Sequence, residues 1–369
     1  MSTPELLYTS DEDDLRTAVR RLLDARSPWQ AVLRRVDAGE GYDQDLWRRL
    51  ATEVGAAGLA VPESAGGAGA SWREAAVVAE EVGRGVTPVP FLTSAGVAAA
   101  LLLDAKATEL LEPVASGELT AAVVLPLSTG PGSAFPTAVQ AHDGALTGRV
   151  RSVADAASAG VLLVPATGQD GPGVYAVEPD AAGVVIEPIV AFDSTRPLAD
   201  VRLSGARGRL VVSGTPASEA LDRGLTVGAA LLASEQLGVA ERCLEMTVEY
   251  LRTRYQFGRP VGSFQSLKHR LADLWTSISQ AKAVARYAAA CIADEDPDTA
   301  IAVAVAQAHV SAVAVRAAEE CVQMHGGIGF TWEHPAHLYL KRAKSDMVAL
   351  GTPDAHRSRL ARLVDLPAA

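Results

Sequence analysis

Beyond Ala217 the chain reads as helices of unusual length: Glu219–Arg254, Ser266–Ile292 and Thr299–Gln323, then a shorter pair from about Pro335. An average helix runs to about 11–12 residues. Helices this long hold their form mainly by packing against one another, which predicts a bundle. Between Thr120 and Ser213 the texture differs. Short β-branched runs (TAAVVLPL, GVLLVPA, GVYAVEP, GVVIEPIV, GRLVVSG) alternate with Gly/Pro/Ser/Asp turns, the pattern of a small antiparallel barrel or sandwich. Ahead of it the chain is helical again. Ser71-x-x-Glu74 has capping-box spacing before AAVVAEEVGR, and Pro88 and Pro90 interrupt before AGVAAALLLDAKATELL resumes. The expected class is α+β, with a helical domain over 1–119, a β domain over 120–213 and a helical bundle over 214–369.

At 369 residues the chain can bury roughly three quarters of its extended surface, so its core needs no disulfide or metal staple. Three scattered cysteines (Cys243, Cys291, Cys321) suit a reducing cytoplasm, and the acidic start MSTPELLYTSDEDDL does not read as a signal peptide. Neither Gly85–Leu103 nor Thr299–Val315 sustains about 20 strongly apolar residues, so no membrane span is expected. A net charge of −11 argues against nucleic acid as a partner.

Against that charge, Leu251–Arg270 (LRTRYQFGRPVGSFQSLKHR) carries five positive residues, Arg252, Arg254, Arg259, Lys268 and Arg270, and no acidic one. Its Phe257-Gly258-Arg259-Pro260 break lies between two helices. Arginine forks and free backbone N–H groups there could hold a phosphate; the same charges would also serve to offset a helix dipole. Gln323-Met324-His325-Gly326-Gly327-Ile328-Gly329-Phe330 places three glycines after a long helix, suited to close backbone approach or to a helix C-cap. No strand precedes it, so a Rossmann loop is excluded. His325, His334 and His337 have no zinc spacing and read as interface or surface histidines, and no G-x-S-x-G elbow supports serine catalysis.

Taken together, these segments resemble the acyl-CoA dehydrogenase family over nearly the whole chain. LWRRLATEVGAAGLAVPESAGGAGAS looks like its N-terminal domain, RYQFGRPVGSFQSLKHRLADL like its R-x-x-F-G…F-Q segment, and QMHGGIGFTWEHPAHLYLKRA like its Q-x-x-G-G-x-G-F segment. The resemblance implies the fold of that family, ending in a four-helix bundle, and FAD-dependent desaturation of an acyl-CoA thioester. In such enzymes a glutamate removes the α-proton while hydride leaves Cβ for the flavin. FAD bridges two subunits, the neighbour supplying R-x-x-F-G and Q-x-x-G-G. Residue by residue, the half offered to a neighbour is intact: Arg254, Gln256, Phe257, Phe264, Gln265, Gln323, Gly326 and Gly327.

The other half departs from the family. Where Glu-Gly-Thr would supply the base stand Leu350-Gly351-Thr352, and the alternative base position holds Gly228, followed by Ala229 where arginine is usual. The flavin-facing Thr-Glu-Pro is Val124-Leu125-Pro126, and Trp-Ile-Thr is Ser152-Val153-Ala154. The implied protein is a subunit without its own catalytic residue that completes FAD sites for a Glu-bearing dehydrogenase subunit in a two-plus-two heterotetramer, with an electron-accepting flavoprotein downstream. Bacterial enzymes of this kind include ones acting on CoA-activated steroid side chains. Three alternatives stand beside it. One is a self-sufficient homotetramer with a displaced base, Glu235 or Asp346, which otherwise read as a surface helix charge and a partner of Lys341–Lys344. The others are a flavin monooxygenase of the same fold and a non-enzymatic structural partner.

Overall fold

The computed structural model describes residues 5–366. Helices α1 (Ser10–Arg26), α2 (Trp29–Asp37), α3 (Gln44–Glu53) and α4 (Trp72–Gly85) open the chain. The Ser71/Glu74 capping box forms at α4, and Thr9 with Glu12 makes a second at α1. After Pro90 the helix restarts at once, as a π-helical segment (Phe91–Ala98) that runs into α5 (Ala99–Asp104); α6 (Thr108–Ala115) follows.

Eight strands make one sheet: β1 (Ala121–Val123), β2 (Val139–His142), β3 (Ala145–Ala154), β4 (Val161–Gly168), β5 (Gly171–Val177), β6 (Val184–Ile189), β7 (Leu198–Arg207) and β8 (Arg209–Ser213). The order is β6-β7-β3-β2-β4-β5-β8. It is not wholly antiparallel, as the turn spacing suggested. β1 and β2 both run parallel to β4, β1 at Val161–Leu163 and β2 at Thr167. The long Val124–Ala138 connection permits this, because it carries the chain back without a hairpin. Three strands were invisible to a search for apolar runs. In β3 and β7, Arg149, Arg151, Arg202 and Arg207 alternate with core residues, as half-buried strands require. β4, by contrast, is buried over Val161–Ala166 and shows as an unbroken run.

The bundle comprises α7 (Thr215–Thr253), α8 (Gln265–Ala293), α9 (Thr299–His325), α10 (Ala336–Val348) and α11 (Pro353–Leu363), the last lying against α9 as a fifth member. α9 is long and apolar enough to cross a membrane by composition, but 67% of its most apolar stretch is buried. The first helices and the bundle share one hydrophobic core; the sheet has a second. α4 and α7 approach so closely that a Cβ at Gly83 would lie 2.0 Å from the Glu235 carbonyl, and one at Gly238 1.9 Å from that of Glu80. Only glycine permits this contact, which sets α7 beside the π-helical segment.

Candidate functional site

The basic segment turns outward. Arg254 ends α7 as its C-cap, and Tyr255-Gln256 pairs with Arg259-Pro260 in a hairpin. The two turn residues, Phe257 (φ 53°) and Gly258 (φ 74°), both have the positive φ that two-residue hairpins favour. For phenylalanine this conformation costs about 1–2 kcal/mol, yet the side chain is 89% exposed. Its ring meets only the edge of Phe264, which Arg259 covers at 4.0 Å. Gln265, in the first turn of α8, and Gln323, in the last turn of α9, are exposed as well. Gly326 leaves α9 with φ 62° and ψ −140°. A Cβ built on Gly326 or Gly327 would have nothing within 4 Å. Nothing in this chain needs Gly327 to be small.

Tyr250, one turn before Arg254, stacks on His325 at 4.4 Å, so the ends of α7 and α9 are brought together. His325, expected at an interface or at the surface, is 3% exposed and so not at the surface of this chain, because the turn at Gly326 folds the following loop over it.

The inward positions also converge. A Cβ on Gly228 would lie 2.4 Å from Val97 Cγ2 and 3.2 Å from Leu350 Cδ1, so the two family base positions face each other across apolar contacts. Leu350 is held at φ 51° by its N–H on the Leu127 carbonyl (2.7 Å) and its carbonyl on His356 Nε2 (2.9 Å). Leu125, Pro126 and Ala154 join Thr93, Val97 and Leu350 around a cavity of about 40 Å³. Sites for drug-sized ligands run to about 300–1,000 Å³. No carboxylate lines the space.

Glu235 and Asp346 are engaged elsewhere. Neither is a surface charge: both are buried, with Arg196 and Arg342, beneath the loop joining β6 to β7. Arg342 Nε meets Asp193 Oδ2 at 2.8 Å and its Nη1 meets Glu235; Arg196 Nη2 reaches Glu235 Oε1 at 2.6 Å and Asp346 Oδ1 at 3.3 Å. Burial raises the Asp346 carboxyl to about 8, helped by the neighbouring Glu235 charge. Glu235 lies below its usual range because the two guanidiniums outweigh its burial. Both therefore sit in a buried ion-pair cluster with the two guanidiniums. Sequence reasoning missed Asp155, whose carboxylate accepts from Thr93 Oγ1 at 2.6 Å behind the cavity wall and is pushed up by burial. An isolated aspartate after a strand carried no signal of its own. Among the described residues no cluster of His, Cys, Asp or Glu could hold a metal ion.

These features agree with the chain's relatives. Residues 9–118 match the acyl-CoA dehydrogenase N-terminal domain and 219–364 the acyl-CoA dehydrogenase C-terminal domain. The chain is 38% identical over 340 residues to acyl-CoA dehydrogenase IpdE2 of Mycobacterium tuberculosis, covering 92% of each. It superposes on a chain of the ChsE4-ChsE5 complex from Mycobacterium tuberculosis with a TM-score of 0.85 and 30% identity, covering 99% of this chain and 100% of that one. A variant of the Tcur3481-Tcur3483 steroid ACAD gives 0.84 and 32%, covering 96% and 98%. The chain belongs to the acyl-CoA dehydrogenase family, oxidoreductases whose cofactor is FAD.

Proposed function

We propose that this chain is the subunit without a catalytic base in a hetero-oligomeric acyl-CoA dehydrogenase, two copies with two of a Glu-bearing partner, completing the partner's FAD sites in trans. The observation that carries the reading is the contrast between an exposed, intact set of motif residues and an apolar cavity beside Leu350 that no carboxylate lines. Two relatives are named as pairs of unlike chains, and one of those is called a steroid ACAD. An acyl-CoA carrying a steroid-derived side chain is therefore the substrate class, and an electron-accepting flavoprotein the downstream partner.

Bound FAD supplies the hydride acceptor. The chain's own work is binding and orientation. The Arg254 guanidinium gives the diphosphate a charge-assisted hydrogen bond, a type worth about 1.5–3 kcal/mol. Gln256, Gln265 and Gln323 offer amide groups, and Gly326-Gly327 lets backbone N–H groups approach without a Cβ in the way. Phe257 and Phe264 present apolar surface for the nucleotide end. The acid–base step falls to the partner's carboxylate, since the position facing the substrate here is leucine.

FAD stoichiometry of the purified chain, alone and coexpressed with a Glu-bearing dehydrogenase from the same operon, tests the reading. No flavin in the isolated chain and one per unlike pair in the complex is expected. One flavin per isolated chain, with turnover, would overturn it and return the search to a self-sufficient homotetramer.

A further inference from the structure

At the C-terminal end of α9 three rings stack in a row. His325 lies between Tyr250 (centroids 4.4 Å apart, planes at 30°) and His334 (4.1 Å, 35°). Its Nδ1 is 2.6 Å from the Cys321 carbonyl, which can only accept, so the proton sits on Nδ1. Nε2 is left buried and without a partner. The arrangement ties three pieces of chain together. Tyr250 belongs to the last turn of α7, and its carbonyl accepts the Arg254 N–H at 2.9 Å. His325 is the last residue of α9, directly before Gly326. His334 belongs to the returning loop, its Nδ1 accepting from the Ala336 N–H at 3.2 Å. No other ring stacking or side-chain hydrogen bond among the described residues joins the last turn of α7 to the Gly326 turn.

We propose that His325 is the positioning residue of the cofactor face: clamped between Tyr250 and His334, it fixes Gly326-Gly327 relative to Arg254 so that both segments meet one diphosphate together. This rests on the in-trans reading above. A free Gly-Gly turn explores many conformations, and ordering it on binding would cost about 1–2 kcal/mol per residue of backbone entropy. A ring held on both faces removes much of that freedom beforehand. The buried Nε2 is a second feature to explain. A buried polar atom left unpaired is costly, and because His325 directly precedes the two exposed glycines, a proton on it would add positive charge beside an anion bound at that turn.

The groups facing His325 favour that charge. Cys321, whose Sγ lies 3.6 Å from Nδ1, is held low, at about 5, first by its contact with Cys243 and then by His325 itself. Cys321 in turn raises His325 above its ordinary value against the opposing effect of burial. His334 is pushed down to about 4 by burial, and His325, His337 and Arg242 add to this, so it packs as a neutral ring. Tyr250 supplies a π face, which attracts a cation.

The test uses the complex with its Glu-bearing partner and reads FAD affinity by flavin fluorescence between pH 6 and 9. His325→Phe keeps the stack but cannot titrate; His325→Ala loses both; Arg254→Ala is the reference. In the wild-type complex FAD binding weakens as pH rises through the His325 titration. His325→Phe should flatten that dependence with a loss of about threefold at pH 6.5, and His325→Ala should lose about tenfold or more. If His325→Ala does not assemble, His334→Leu, which releases one face of the ring, should weaken FAD about threefold at unchanged melting temperature. Wild-type affinity and pH profile in these variants, with FAD lost in Arg254→Ala, would overturn the role of His325 alone. No loss in Arg254→Ala would overturn the in-trans reading and this inference with it.

Discussion

Phe257 at φ 53° and Leu350 at φ 51° both occupy the left-handed backbone region, and their surroundings are opposite. Leu350 is 5% exposed; two backbone hydrogen bonds hold it and its side chain packs toward Gly228. The chain itself compensates that strain. Phe257 is 89% exposed, its ring meeting that of Phe264 edge to face. Strain of about 1–3 kcal/mol persists where the surroundings over-determine it or where function uses it. At Leu350 the turn is held and covered by the chain's own groups. At Phe257 a turn holds an aromatic ring out toward something beyond the chain. The difference separates a site closed on itself from a site that needs another molecule.

The comparison breaks most directly at Leu350. Leu350→Glu would bury a carboxylate without a partner, and should cost several kcal/mol in a denaturant titration while restoring no turnover to the isolated chain. Recovered dehydrogenase activity would show that the cavity opens to substrate. At the outer site, Arg254→Ala in the complex should weaken FAD by roughly ten- to a hundredfold, with little change in melting temperature because the side chain is exposed. Gly327→Val should reduce FAD retention by about tenfold without unfolding the bundle, since its Cβ meets nothing in this chain. Normal FAD content in that variant would remove the glycine pair from the cofactor face.

A smaller effect sharpens the inner side. The Asp346 carboxyl, raised to about 8 in the folded chain, stays protonated there at pH values where the unfolded chain has already released the proton. The folded state therefore binds more protons between about pH 4 and 8, and this group's contribution to stability falls as pH rises through that window. Asp346→Asn should flatten the decline in melting temperature from pH 5 to 8. An unchanged slope would mean that the cluster around Arg196 and Arg342 holds Asp346 charged throughout.

Much of the fold was legible before any coordinates. Long apolar periodicity marked α7, α8 and α9 to within a few residues, and Ser71 and Glu74 marked the start of α4. The strands that escaped were those whose charges alternate with core residues, and a search for apolar runs does not register them. At the candidate site the residue types at Leu350, Gly228, Leu125 and Ala154 could be read directly from the chain, whereas their neighbours could not. Glu235 was read as a surface helix charge and Asp346 as a partner of Lys341–Lys344 because Arg196, which pairs with both, lies in a loop far away in sequence.

By itself, then, the sequence determined the order of helical, sheet and bundle regions and which residue types stand at the motif positions, Arg254, Gly326 and Gly327 among them, with Leu350 and Gly228 at two others. These follow from local periodicity and residue chemistry. Only the tertiary structure decided that Gly228 and Leu350 face each other, that no carboxylate lines the cavity beside Leu350, and that His325 joins α7 to α9. Each of these is a distance between segments far apart in the chain, set by the close α4–α7 crossing and by packing that no single segment encodes.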